Sequence, residues 1–174
     1  MKTTRRRFVK SILVGLFLSG LVLAIWLGLR NRARAHRSER NYSLIEPRLY
    51  MGGSVRHPPP ESSAVLNLCE VQDPYECEVH VWDRIPDSAP APSLDWLRKQ
   101  VDFVDAQYSA GRTVYVHCYG GVSRAGMVVA AYLMSKHGWT RDQALDFARS
   151  KRPIVKPNPA FMELLLEWER TLKT

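Results

Sequence analysis

Apolar and polar positions along this 174-residue chain change rhythm several times, and each rhythm predicts an element. The first is unbroken: Ile12 to Leu29 is an uncharged run of eighteen residues, almost all apolar. That meets the lower limit for a membrane-spanning helix. Phe8 and Val9 extend it if Lys10 snorkels, and Trp26 suits an interfacial position. Shorter runs follow. Leu44 to Met51 has strand character ahead of the Gly52-Gly53 turn, Ala64 to Cys69 (AVLNLC) reads as a buried strand, and Glu78 to Trp82 as another short one. Arg56 to Ser62, with three consecutive prolines, and Ile85 to Ser93, with Pro86, Pro90 and Pro92, read as loops.

The period then turns helical. Leu94, Leu97, Val101 and Val104 recur at helical spacing after a capping Ser93, predicting a helix to about Tyr108 that Gly111 ends. Thr113 to His117 (TVYVH) is a compact β-rich strand. A glycine-rich segment separates it from a helix over Arg124 to Lys136, with Met127, Val128, Ala131, Tyr132 and Leu133 on its apolar side. Thr140 and Gln143 have capping-box spacing and open a helix to Ser150. After the proline-broken RPIVKPNPA, Phe161, Leu164, Leu165 and Trp168 stripe a last helix from Phe161 to about Lys173. These stripes are assigned to the core. Strands followed by helices, with one strand–loop–helix crossover, predict a compact α/β domain.

Charge changes the picture at one end. The chain carries +8, but ten of its 25 basic residues and one of its 17 acidic residues lie in the first 40 positions. That segment holds +9 and the remainder −1, so the folded part lacks the basic excess that nucleic-acid binding favours. The chain divides into a basic segment 1–10, an anchor 11–29, a basic linker 30–41 and a domain 42–174. Thr4 to Lys10 resembles a twin-arginine export motif, and Ala33-Arg34-Ala35 a cleavage site. An uncleaved single-pass anchor is favoured, because the run is longer than a signal core and arginines wrap the site. Five basic residues precede the run and five follow it to Arg40, so the positive-inside count cancels.

The chemistry concentrates in HCYGGVSRAG, His117 to Gly126. A glycine-rich strand-to-helix turn directs backbone N–H groups and a helix N-terminus at one point, which makes an anion cradle. The Gly-Lys-Ser/Thr ending of a Walker loop is missing, and the glycines do not match a dinucleotide fingerprint. Cys118 stands at the mouth, where the same N–H groups stabilise a thiolate. Arg124 can return from the first helical turn to grip two oxygens of a tetrahedral anion. His117, next to Cys118 on the strand, points the other way and is given a supporting role.

HCYGGVSR resembles the His-Cys-x5-Arg loop of the cysteine-based protein tyrosine phosphatases, and Gly121-Val122-Ser123-Arg124 resembles their dual-specificity branch. LYMGG before it and AYLM after it are similar as well, and the resemblance runs from Leu44 through Trp168. It implies a compact three-layer domain, a central mostly parallel sheet flanked by helices. It also implies two-step phosphoryl transfer without a metal or cofactor. Cys118 attacks phosphorus, and the N–H groups of Tyr119, Gly120, Gly121, Val122, Ser123 and Arg124, with the Arg124 guanidinium, carry the oxygen charge. A loop carboxylic acid protonates the leaving group. Asp87, thirty-one residues before Cys118 in the proline-flanked loop, fits that pattern; Asp83 is the alternative, ahead of Asp73 and Asp95.

The departure is Ala125, where most members carry a hydroxyl that donates to the cysteine sulfur as the phospho-enzyme breaks down. Its loss is worth on the order of 1–3 kcal/mol, felt in the second half-reaction, unless Ser123 reaches inward instead. The expected activity is therefore a slow, membrane-associated phosphatase acting on phosphotyrosine and on phosphoserine or phosphothreonine. A phospholipid or phosphoinositide phosphatase is the second reading; the uncharged residues between Cys118 and Arg124 disfavour it, and Lys151, Arg152 and Lys156 offer it positive charge. A phospho-residue-binding pseudophosphatase is the third. Cys69 reads as a buried thiol and Cys77 as a more exposed one that an oxidising compartment would allow to pair with it. The requirement that Cys118 stay reduced favours a cytosolic face.

Overall fold

The computed structural model describes residues 41–173. The expected anchor over 11–29, the segment before it and the linker up to Arg40 lie outside the described residues. Among those described, no helix is long and apolar enough to cross a membrane.

Five strands form one sheet: β1 (Tyr42–Glu46), β2 (Leu49–Gly52), β3 (Ser62–Asn67), β4 (Val79–Trp82) and β5 (Thr113–His117). Their order is β1-β2-β5-β3-β4. β1 is antiparallel to β2, and every other pair is parallel. The single strand expected over Leu44 to Met51 is in fact a hairpin. Pro47 cannot donate to a ladder, and Arg48 takes a left-handed φ of 64°, so the chain reverses there. β5 lies at the centre and every residue of it is buried, as a parallel strand covered on both faces requires.

The helices are α1 (Leu94–Ser109), α2 (Arg124–His137), α3 (Arg141–Lys151) and α4 (Pro159–Leu172). Their starts follow local chemistry. Ser93 Oγ accepts from Trp96 N at 3.1 Å, Thr140 and Gln143 close a full capping box, and Asn158 Oδ1 accepts from Phe161 N with Pro159 in the first turn. The last helix thus begins two residues before the expected Phe161. α2 differs from its expected one-sided pattern: every residue from Arg124 to Met134 is buried, because α1, α3 and α4 all pack around it.

The main core joins the four helices to Ile45, Leu49, Met51, Ala64, Leu66, Val114 and Val116 on one face of the sheet. The opposite face carries a smaller cluster of Val55, Val65 and Tyr115 with Tyr42, Tyr50, Tyr75 and Cys77. No helical residue belongs to it. The three-layer expectation is therefore corrected, among the described residues, to two layers. The β2–β3 and β3–β4 connections contain no helix, so loops cover the second face. Cys69 and Cys77 sit in the two different clusters, and all three cysteines are free thiols.

Candidate active site

The parallel strands end together. Gly52, Asn67 and His117 are in register across β2, β3 and β5, and Trp82 of β4 is in register with Asn67. The segment Cys118–Ser123 leaves this carboxyl edge and turns into α2.

What shapes the loop is the capture of its carbonyls from outside. The carbonyl of Tyr119 accepts from Ser54 N at 3.0 Å and that of Val122 from Lys156 N at 3.0 Å. Between them, Arg152 donates from Nε to Gly121 O at 2.7 Å and from an Nη to Gly120 O at 3.0 Å. The same Nη donates to Asn41 Oδ1 at 2.6 Å. With four successive carbonyls held outward, the N–H groups turn the other way. Those of Tyr119 to Ser123 have no backbone acceptor among the described residues, which is the cradle that the glycine pattern predicts. Arg152 is buried and committed to this task, so it is not a free cation at the rim. Lys151 and Lys156 are exposed.

Glycine is required at Gly121, whose φ is +64° and where a Cβ would lie 2.2 Å from Gly52 C. Gly53 is the counterpart directly after β2, since a Cβ there would meet Tyr119 O at 2.7 Å. The LYMGG turn thus lets the β2 backbone press against the loop.

Cys118 is buried, 2 % exposed, and its N–H donates to Gly52 O. Arg124 is 5 % exposed. One of its Nη groups donates to Leu68 O, Ile85 O and Glu70 Oε1 at 3.1, 3.0 and 2.7 Å. Its Nε is buried and makes no hydrogen bond. The guanidinium is therefore clamped along one edge and unsatisfied on another, a state that an anion oxygen would relieve. Burial opposes the charge, but Glu70, the Cys118 sulfur and Asp87 outweigh it and hold the Arg124 pKa above its ordinary value. The Arg124 contact in turn lowers the pKa of Glu70.

Asp87 stands at the mouth. Its Oδ1 accepts from Ser123 Oγ at 2.6 Å and from Asn158 Nδ2 at 3.0 Å, and its Oδ2 lies 3.9 Å from Arg124 Nε. Ser123 Oγ also accepts from Asn158 N at 3.0 Å, so that hydroxyl serves the loop scaffold instead of reaching toward the thiol. Asp83 accepts from Gln100 Nε2 at 2.9 Å and lies 3.3 Å from Lys99 Nζ, which ties it to α1. Asp95 lies in the first turn of α1.

His117 is fully buried and turned from the cradle, as strand alternation predicts. Its Nε2–H donates to Asp73 Oδ2 at 2.9 Å, and its ring stacks on Tyr115 at 4.9 Å. Cys69 Sγ lies 3.7 Å from its Nδ1. Burial pushes the Cys69 thiol up to about 12, so it remains protonated. Asp73 is the residue that sequence reading undervalued. Its side chain is 1 % exposed and also accepts from His80 Nε2 at 2.9 Å. Burial would raise its pKa, but the His117 and His80 contacts outweigh this and lower it. No sequence signal marked the pair: Asp73 lies in a loop and His80 seven residues on in β4, a spacing that matches no structural period.

The fold and loop define a cysteine-based phosphatase domain. The family model described as dual specificity phosphatase, catalytic domain, matches residues 62–171. The chain belongs to this family, the dual-specificity branch of the protein tyrosine phosphatases. Dual specificity protein phosphatase 1 of Arabidopsis thaliana is 33% identical over 156 residues, covering 81% of this chain and 75% of that protein. Dual specificity protein phosphatase 8 of Mus musculus is 38% identical over 109 residues, 62% of this chain but 16% of the mouse protein. Human DUSP28 superposes with a TM-score of 0.70 at 24% identity, covering 77% of this chain and 96% of that structure. PTPMT1 solved in complex with PI(5)P gives 0.68 at 23%, covering 76% and 97%.

Proposed function

We propose that this chain is a membrane-associated phosphatase that hydrolyses phosphotyrosine, and phosphoserine or phosphothreonine, through a cysteinyl-phosphate. The observation that carries the reading is the junction of Cys118 with outward-held carbonyls and a clamped Arg124 whose Nε makes no hydrogen bond. In the first step the Cys118 thiolate attacks phosphorus. The S–P bond forms as the P–O bond to the leaving group breaks, and the Asp87 carboxylic acid supplies that oxygen with its proton. The N–H groups of Tyr119 to Arg124 and the Arg124 guanidinium hold the equatorial oxygens throughout. In the second step Asp87, now a carboxylate, takes a proton from water, whose oxygen displaces the sulfur. His117 supports the loop from behind through Asp73. The apolar run Ile12 to Leu29 supports the membrane association.

The test is phosphate release by the full-length chain from para-nitrophenyl phosphate and from phosphotyrosine, phosphoserine and phosphothreonine peptides, with Cys118→Ser as control. Turnover that Cys118→Ser abolishes is expected; equal turnover in that variant refutes the mechanism. A lipid-phosphate reading is supported by the apolar run and the likeness to PTPMT1 bound to PI(5)P. Against it stand the uncharged residues Tyr119 to Ser123, which offer nothing for additional phosphates. Phosphoinositide vesicles in the same assay decide: faster turnover there than on any peptide replaces the protein-substrate reading.

A further inference from the structure

We propose that a cavity against the helix-free face of the sheet is a binding site for a cationic group, an alkylammonium or guanidinium, seated on Asp73. The cavity measures about 390 Å³ and lies over β4 beneath the β3–β4 connection, a volume suited to a side-chain-sized ligand. Carboxylates of Asp73 and Glu76, rings of Tyr75, His80 and Trp82, and the Gln72 amide line it; no lysine or arginine does.

Asp73 makes it more than an acidic surface patch. The two imidazoles both use Oδ2, at 2.9 Å each, while Oδ1 is buried with no hydrogen-bond partner. The Tyr75 hydroxyl faces the same carboxylate; burial together with that charge raises its pKa, yet it makes no hydrogen bond of ordinary geometry. A desolvated carboxylate oxygen with no well-formed hydrogen bond is stabilised by an N–H donor that enters the cavity beside Tyr75. The carboxylate is held ionised by its histidines, and Glu76 adds a second negative charge at the rim. The walls select cations further. The faces of Tyr75 and Trp82 attract positive charge, and the Arg84 guanidinium already rests 5.8 Å from the Trp82 centroid. Trp82 is also anchored, its Nε1–H donating to Cys69 O at 2.8 Å.

The site adjoins the reactive loop. Trp82, Asn67 and His117 share the carboxyl edge of the sheet, and Asp73 touches both the cavity and His117. A basic side chain near the phosphorylated residue of a protein substrate and a free polyamine are the two sources of such a group.

Full-length Cys118→Ser protein, which keeps the cavity and removes the thiol, is titrated with propylguanidinium, butylammonium and a neutral isostere, propylurea. The Trp82 indole and His80 ring signals are followed by NMR. Saturable shifts with the two cations and none with propylurea are expected. Glu76→Gln, an exposed substitution away from the buried pair, raises Kd about threefold, and natively folded Asp73→Asn abolishes saturation. Equal shifts with propylurea, no saturation with either cation, or an unchanged Kd in Glu76→Gln overturns the proposal. Tighter binding of an arginine peptide than of spermidine assigns the site to a protein partner, and the reverse to a polyamine. Binding is read without turnover, so a failed phosphatase assay leaves this result standing.

Discussion

Ala125 is fully buried directly after the arginine that opens α2, and Ser123, the nearest hydroxyl in the loop, is already bonded to Asp87 and Asn158. Neither position 123 nor position 125 therefore offers a free hydroxyl to stabilise the departing Cys118 sulfur. Ala125→Ser is expected to speed breakdown of the trapped phospho-enzyme about tenfold, the worth of one charge-directed hydrogen bond, with little change in the rate of its formation. Rapid-quench measurement of both steps separates them. For Asp87→Asn, a fall in kcat/KM of about a hundredfold or more is expected for phenyl phosphate, and a smaller one for para-nitrophenyl phosphate, whose leaving group needs no proton. Asp73 carries a stability prediction. Its folded pKa is depressed by His117 and His80, so its contribution is complete above the ordinary aspartate range and disappears as pH falls through the lowered value. Asp73→Asn is expected to cost about 3 kcal/mol near neutral pH. That gap should narrow in urea titrations as the pH is brought below about 4.

At the scale of elements, the reactive loop is a strand-to-helix turn whose backbone is held from two sides: by Gly52 at the end of β2 with Gly53 and Ser54 after it, and by the segment after α3 through Lys156 and Arg152, which Asn41 holds in turn. Gly121→Ala would force both a left-handed φ on a substituted residue and a clash with Gly52. A loss of about 2 kcal/mol or more in stability is expected, together with loss of phosphate affinity measured by isothermal titration. The elements themselves were legible. TVYVH became β5 with the expected bounds, and the Ser93 and Thr140 caps formed, because capping and β-branching act within a few residues. The hairpin at Pro47-Arg48 was missed because a two-residue reversal leaves the apolar alternation on either side almost continuous. The all-round burial of α2 was missed because neighbours, not its own period, decide how many faces are covered.

Across the whole domain, α4 closes the core against α2. Trp168 Nε1–H donates to Ala131 O at 3.1 Å with the ring buried, so Trp168→Ala is expected to cost about 3–5 kcal/mol in chemical denaturation. The sequence by itself determined the α/β class, the elements and the clustering of Cys118, the loop glycines and Arg124, since ten consecutive residues suffice to write a strand-to-helix anion cradle. Tertiary structure alone decided which partners each group acquired. It turned Arg152 from a prospective rim cation into the clamp on two loop carbonyls, placed Asp87 beside Arg124 while tying Asp83 to α1, and buried Asp73 between His80, seven residues away, and the distant His117. Those pairings depend on where loops cross the sheet edge, and the contacts that fix the crossings span from 7 to 111 residues, beyond the reach of any local pattern.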